Sequence, residues 1–188
     1  MLDIIVPETN RLWDPVSEFF ITSKETKLTL EHSLVSLTKW ECKWHVPFLG
    51  NKQLTPQQLR DYVRCMTITQ NVDPMVYFAL TQENLDAIMH YVEDPMTATT
   101  INEKALRAAQ KGPRNNGRVI TNELIYYWMT ELNIPFDPCQ KWHLNRLMTL
   151  IKVASIEKQP PKKMSKADAM SQQRALNAAR RAKLGTRG

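Results

Sequence analysis

The stretch Ile134-Pro135-Phe136-Asp137-Pro138-Cys139-Gln140-Lys141-Trp142-His143-Leu144-Asn145-Arg146-Leu147-Met148-Thr149-Leu150-Ile151 narrows the fold more than any other part of the chain. Leu144, Leu147, Met148 and Ile151 recur at i, i+3, i+4 and i+7, so a helix through them carries one apolar stripe that has to be buried. Asp137 is placed to cap that helix, and Pro138 suits its first position, where a backbone N–H would be unpaired anyway. Trp142 extends the apolar surface towards the N-terminal end, whereas Lys141 and Asn145 fall off the stripe. Upstream, residues 121–132 read as a second helix bearing Leu124, Tyr127, Trp128 and Leu132. Only Asn133-Ile134-Pro135-Phe136 separates the two, a link short enough to make them packed neighbours. A helical hairpin is therefore the expected centre of the core.

A chain of 188 residues is long enough to bury such a core in one domain with a tail. Five Gly against eleven Pro favour helices with proline-marked ends over a Gly-rich barrel. Cys42, Cys65 and Cys139 are odd in number and far apart, and Met1-Leu2-Asp3-Ile4-Ile5-Val6-Pro7-Glu8 lacks the basic start and long apolar run of a secretory signal. Reduced thiols in a cytosolic protein are the expectation, and no stretch approaches the length of a membrane-spanning helix. The net charge of +6 is uneven: from Lys158 onward nine basic residues face Asp168 alone, a net of +8, which leaves −2 on the first 157 residues. The high pI belongs to the tail.

Taken in order, the chain divides into an N-terminal β segment (residues 1–30), a helical core (31–157) and a basic C-terminal arm (158–188). Residues 2–6, Phe19-Phe20-Ile21 and Lys27-Leu28-Thr29-Leu30 predict a small hairpin or three-stranded sheet. From Glu31 the period becomes helical through Leu34, Leu37, Trp40 and Trp44, ending at Pro47 and Gly50. Thr55-Pro56-Gln57-Gln58 has the form of a capping box ahead of Leu59, Tyr62, Val63 and Met66. Asp73-Pro74 opens a short helix, and residues 82–92 a further one that buries Leu85, Ile88, Met89 and Val92. Residues 95–100 favour an extended or irregular path, residues 102–111 a short exposed helix, and residues 112–117 a loop. Gln159-Pro160-Pro161 breaks the helix before a last helical stretch, residues 166–184, whose apolar positions are mostly Ala. The fold class expected is mainly α, with a small N-terminal β element.

Several residue sets invite a chemical reading. Cys42 with His45 and Cys139 with His143 are helical pairs that together match a tetrahedral zinc site, but nearly a hundred residues separate them and neither pair sits in a knuckle loop. Cys139 with His143 as nucleophile and base lacks an orienting third group and a Gly-rich turn. His32 and His90 lie within helical patterns and read as packed or surface residues. No G-x-x-x-x-G-K or G-x-G-x-x-G loop is present, and the carboxylates are scattered. The reading is a non-enzyme without metal or cofactor. The basic arm could neutralise phosphates, yet it carries no interleaved aromatics, so nucleic acid is the lesser reading beside an acidic protein partner.

The strings Leu28-Thr29-Leu30-Glu31-His32-Ser33-Leu34-Val35-Ser36-Leu37-Thr38-Lys39-Trp40-Glu41, Pro95-Met96-Thr97-Ala98-Thr99, Ile120-Thr121-Asn122-Glu123-Leu124-Ile125-Tyr126-Tyr127-Trp128-Met129, Gln140-Lys141-Trp142-His143-Leu144-Asn145-Arg146-Leu147 and Leu176-Asn177-Ala178-Ala179-Arg180-Arg181 occur together in this chain. As a set they resemble the tail assembly chaperones of long-tailed, non-contractile bacteriophages, from about residue 28 to the C-terminus. The resemblance implies a non-enzymatic protein of the infected host cytoplasm that coats the tape-measure protein until tail-tube subunits polymerise, and is absent from the mature virion. It further implies a frameshifted longer form as a possible second partner, and leaves homo-oligomerisation open. The alternatives are a structural tail or neck component of the virion and a nucleic-acid-binding phage protein acting through the arm. The residues assigned to partner binding are Trp128, Trp142, Arg146 and Leu147 in the hairpin, with Lys162, Lys163, Arg180 and Arg181 in the arm. No membrane partner is expected.

Overall fold

The computed structural model describes residues 1–15, 18–50, 54–101 and 119–158, together with the helix Lys166–Leu184. Four short strands lead: β1 (Leu2–Val6), β2 (Thr9–Asp14), β3 (Phe19–Ser23) and β4 (Thr26–Leu30). β1 pairs antiparallel with β4 and β2 with β3, so the inner hairpin is nested within the outer pair. The register Leu2↔Leu30, Ile4↔Leu28 and Val6↔Thr26 puts Ile4, Val6, Leu28 and Leu30 on one buried face, as a period of two requires. β2 is an addition to the expected strands. Its sequence, Thr-Asn-Arg-Leu-Trp-Asp, turns only Asp14 inward and leaves Leu12 and Trp13 in solvent, so it carries no alternating apolar signal.

The helices that follow are α1 (Leu34–Trp44), α2 (Pro56–Met66), a 3₁₀ helix (Pro74–Phe78), α3 (Gln82–Glu93), α4 (Asn122–Glu131), the single turn α5 (Phe136–Cys139) and α6 (Leu144–Glu157). The chain is thus mainly helical with a small antiparallel β element. Met1–Lys158 forms one compact unit and Gln159–Gly188 a second, which contains the 19-residue helix α7 (Lys166–Leu184). The expected helix and loop at residues 102–117 lie outside the described residues, whereas residues 95–100 follow the irregular path expected of them.

Local chemistry sets most of the helix starts. Ser33 and Ser36 cap α1 reciprocally, the Ser36 N–H donating to Ser33 Oγ at 3.3 Å and the Ser33 N–H to Ser36 Oγ at 2.9 Å. The predicted box at Thr55 forms in the same way with Gln58, at 3.2 and 2.9 Å, ahead of Pro56 at the first position of α2. Thr81 and Asn84 repeat the device on α3. At Asp73 the carboxylate accepts the Met75 N–H at 2.9 Å and opens the 3₁₀ helix.

α1 divides the interior. Leu34 and Leu37 face a core shared with Ile125, Met129, Leu144, Leu147 and Ile151. Trp40 faces a second core built from the strands, α2, the 3₁₀ helix and α3, including Ile21, Leu28, Tyr62, Val63, Met66, Val76 and Ile88. Trp40 is fully buried and its indole N–H donates to the Gln58 carbonyl at 2.9 Å, while Phe48 stacks on Tyr62 at 3.8 Å between centroids.

Two expectations about the hairpin are corrected. The long helix does not start at Asp137 and Pro138: Asp137 is extended (φ −97, ψ 128), as residues before proline prefer, and the Asp137–Pro138 peptide is cis. Its carboxylate pairs with Lys141 at 2.7 Å instead of capping, and α6 begins at Leu144. In α4 the buried face is Asn122, Ile125 and Met129 rather than Leu124, Tyr127, Trp128 and Leu132, and Tyr127 is exposed. Apolar side chains run almost all round this helix, so spacing alone does not select the inner face. On α3, likewise, Ile88 and Tyr91 are buried and Met89 is exposed.

What selects the face of α4 is Glu41, a buried carboxylate on α1. It accepts the Phe48 N–H at 2.8 Å through Oε1, and the Asn122 N–H and Nδ2–H, both at 2.7 Å, through Oε2. Thr121 supplies no side-chain cap, so Glu41 serves as the cap of α4 from across the core. Replacing Glu41 by Ala strands three N–H donors and is expected to cost about 3 kcal/mol in urea unfolding. Glu41→Gln, which turns an amide donor towards donors, is expected to lie between the two. A loss below about 1 kcal/mol for Glu41→Ala would remove this carboxylate from the centre of the fold.

Candidate partner-binding site

The string Trp142-His143-Leu144-Asn145-Arg146-Leu147 runs from a buried polar seam out to the surface, and its residues divide between the two. His143 is the N-cap of α6: its Nδ1 accepts the Asn145 N–H at 3.3 Å. With Nδ1 accepting, the proton sits on Nε2, which donates to the Tyr91 carbonyl at 3.0 Å. Asn145, which falls off the apolar stripe, donates through Nδ2 to the carbonyls of Val92 at 2.9 Å and Asp94 at 2.7 Å, satisfying acceptors at the end of α3. The Leu144 N–H donates to the His32 carbonyl at 2.7 Å, and the Val35 N–H to Gln140 at 3.3 Å.

Side chains close the same junction. The His32 and His143 rings meet edge to face at 5.1 Å, and Tyr91 meets His143 at 4.8 Å. His32 Nδ1 shares a hydrogen bond of 2.5 Å with the Tyr62 hydroxyl, and the Tyr91 hydroxyl donates to Glu31 Oε1 at 2.8 Å. Burial, helped by the neighbouring His143, pulls the His32 imidazole down to about 3, and burial lowers His143 as well. Burial pushes both tyrosine hydroxyls above their ordinary range. These groups are neutral structural ties.

Beyond the seam, Trp142 is half-buried against the core that holds Leu34, Leu37 and Leu147, and the exposed Arg146 guanidinium lies 4.3 Å over its ring. Trp128 is also half-buried. Leu147 is fully buried and packs the hairpin from inside. Tyr126 meets the exposed Phe136 at 5.3 Å, adding an aromatic pair to the hairpin that sequence reading passed over. Arg180 and Arg181 are exposed on α7 in the second unit, and Lys162 and Lys163 lie outside the described residues.

The other candidate chemistries are not assembled. Cys42 and His45 are exposed while Cys139 and His143 are buried, and among the described residues no group of three or more His, Cys, Asp or Glu side chains could hold a metal. All three cysteines are free. Both ring nitrogens of His143 are engaged by backbone groups, so neither is open to activate the Cys139 thiol. His90 is on the surface. Among the described residues no helix is long and apolar enough to cross a membrane.

No family model, no curated protein and no solved structure matches this chain.

The depressed histidines give stability a definite pH dependence. Above the ordinary histidine value of about 6.5, both folded and unfolded His32 are neutral; below it only the unfolded chain takes up a proton, until the folded value near 3 is reached. Stability therefore falls as pH drops through this window, by about 1 kcal/mol from His32 between roughly pH 6.5 and 5.5, with His143 acting in the same direction. Urea unfolding across this range is expected to show that decline, and His32→Gln to flatten it. An unchanged slope in the variant would show that His32 titrates normally in the folded chain.

Proposed function

We propose that this chain is a non-enzymatic phage tail assembly chaperone that holds the tape-measure protein soluble while the tail tube forms. One observation supports the reading: strings that carry the family resemblance, far apart in sequence, are locked to one another. His32 and Ser33 meet Leu144 and His143, and Asn145 reaches the Asp94 carbonyl just ahead of Pro95-Met96-Thr97-Ala98-Thr99. Segments that a shared fold holds together interlock in this way. The lock leaves Trp142 and Arg146 at the hairpin surface, an aromatic–cation pair suited to one face of an amphipathic helix. The basic arm adds electrostatic contact with an acidic neighbour, and tail-tube subunits and a frameshifted longer form are its further expected partners in the host cytoplasm.

Co-expression with the tape-measure protein of the same phage tests this. The wild-type chain is expected to co-purify with it and raise its soluble fraction severalfold. Trp142→Ala combined with Arg146→Ala is expected to stay folded by circular dichroism and to lose most of that effect. A chain recovered in purified virions is instead a tail or neck component. One whose binding to nucleic acid falls steeply with salt and vanishes when the chain is cut at Pro160 acts through its arm.

A further inference from the structure

On α1, α2 and the 3₁₀ helix, outside the hairpin, a cleft of about 230 Å³ is lined by Lys43, Trp44, Arg60, Asp61, Arg64 and Phe78, among others. We propose that this cleft binds a short acidic segment of a partner polypeptide, one carboxylate-bearing residue flanked by an apolar one. The inference does not rest on the chaperone reading.

The walls are apolar and their cations are arranged in advance. Arg60 lies with its guanidinium 4.5 Å over the Phe78 ring and its Nη1 3.4 Å from Asp14, at the foot of a strand. Lys43 reaches Asp61 Oδ1 at 2.5 Å, and the Trp44 indole N–H donates to Asp61 Oδ2 at 2.8 Å. Asp61 is thereby consumed: one oxygen orients the ammonium and the other orients the indole. Arg64, one turn beyond Arg60 on the same face of α2, is exposed, and its guanidinium has no hydrogen bond or ion pair among the described residues. Three cations and the single carboxylate Asp61 line the cleft, a net of +2, with one guanidinium unmatched.

Size and charge both choose the occupant. The volume is below the range of about 300–1,000 Å³ that holds small-molecule ligands, and suits one or two side chains. A guanidinium fork beside aromatic walls matches a carboxylate with an aliphatic or aromatic neighbour. A nucleic-acid strand would bring successive phosphates past Asp61, and the cleft offers no continuous basic track to meet them.

The test is fluorescence anisotropy with the full-length chain and three labelled probes: a decapeptide of glutamate and leucine, its lysine–leucine counterpart, and a twenty-nucleotide oligothymidine. The acidic peptide is expected to bind and the basic one not. Arg64→Glu, checked for folding by circular dichroism, is expected to weaken the acidic peptide about tenfold or more, and Arg64→Gln to weaken it less. Lys183→Glu, the same charge reversal on an exposed residue that does not line the cleft, is expected to leave it within about twofold, since an exposed charge without direct contact to the ligand is screened. Equal losses in Arg64→Glu and Lys183→Glu, no effect of Arg64→Glu, no binding of the acidic peptide, or tighter Arg64-dependent binding of the oligonucleotide would each overturn the proposal.

Discussion

A buried carboxylate organises this molecule. Glu41 sits on α1 between two apolar cores, and its oxygens take N–H groups from the chain just after α1 and from the first turn of α4. Desolvating a charge there is unfavourable unless every lone pair facing the protein is used, and three short charge-assisted hydrogen bonds use them. The geometry that satisfies Glu41 is also the one that turns Ile125 and Met129 inward and stands Tyr127 in solvent. Because α4 is apolar on nearly every side, hydrophobic burial alone would accept several rotations of it; the carboxylate accepts one.

The seam of His32, His143, Tyr62, Tyr91 and Asn145 does the equivalent work between the strands, α3 and α6. Its members are polar, largely buried and mutually satisfied, so it adds specificity where two apolar cores would otherwise slide past each other. It also explains why Trp142 and Arg146 stand where they do. His143 and Asn145 are committed inward and Leu144 and Leu147 are packed, which leaves Arg146 exposed with its guanidinium resting on the half-buried Trp142 indole. The aromatic–cation surface of the hairpin is the outer side of the lock.

Much of the fold was legible in the residues because its signals are local. The box at Thr55–Gln58 and the Asp73 cap ahead of Pro74 are short-range hydrogen-bond chemistry, and Leu144, Leu147 and Ile151 follow a helical period that holds wherever the helix is placed. β2 was not legible, because its apolar side chains face solvent and its one inward residue is an aspartate. Nor was the start of α6: Asp137 and Pro138 look like a helix N-terminus, yet the preference of a pre-proline residue for extended backbone won, and a histidine, an uncommon cap, took the role further on.

The sequence by itself determined where most helices lie, that they are capped, that the charge is concentrated at one end, and which apolar residues of α6 are buried, since each follows from spacing or from neighbours within a few positions. Only the tertiary structure decided which face of α4 is inside, that Glu41 caps it, that His32 meets His143, and that Arg60 and Arg64 share a cleft with Trp44 and Phe78. Those outcomes join residues that local pattern cannot relate. Their cause is the requirement that every buried polar group find a partner, which is met only once the chain has brought distant segments together.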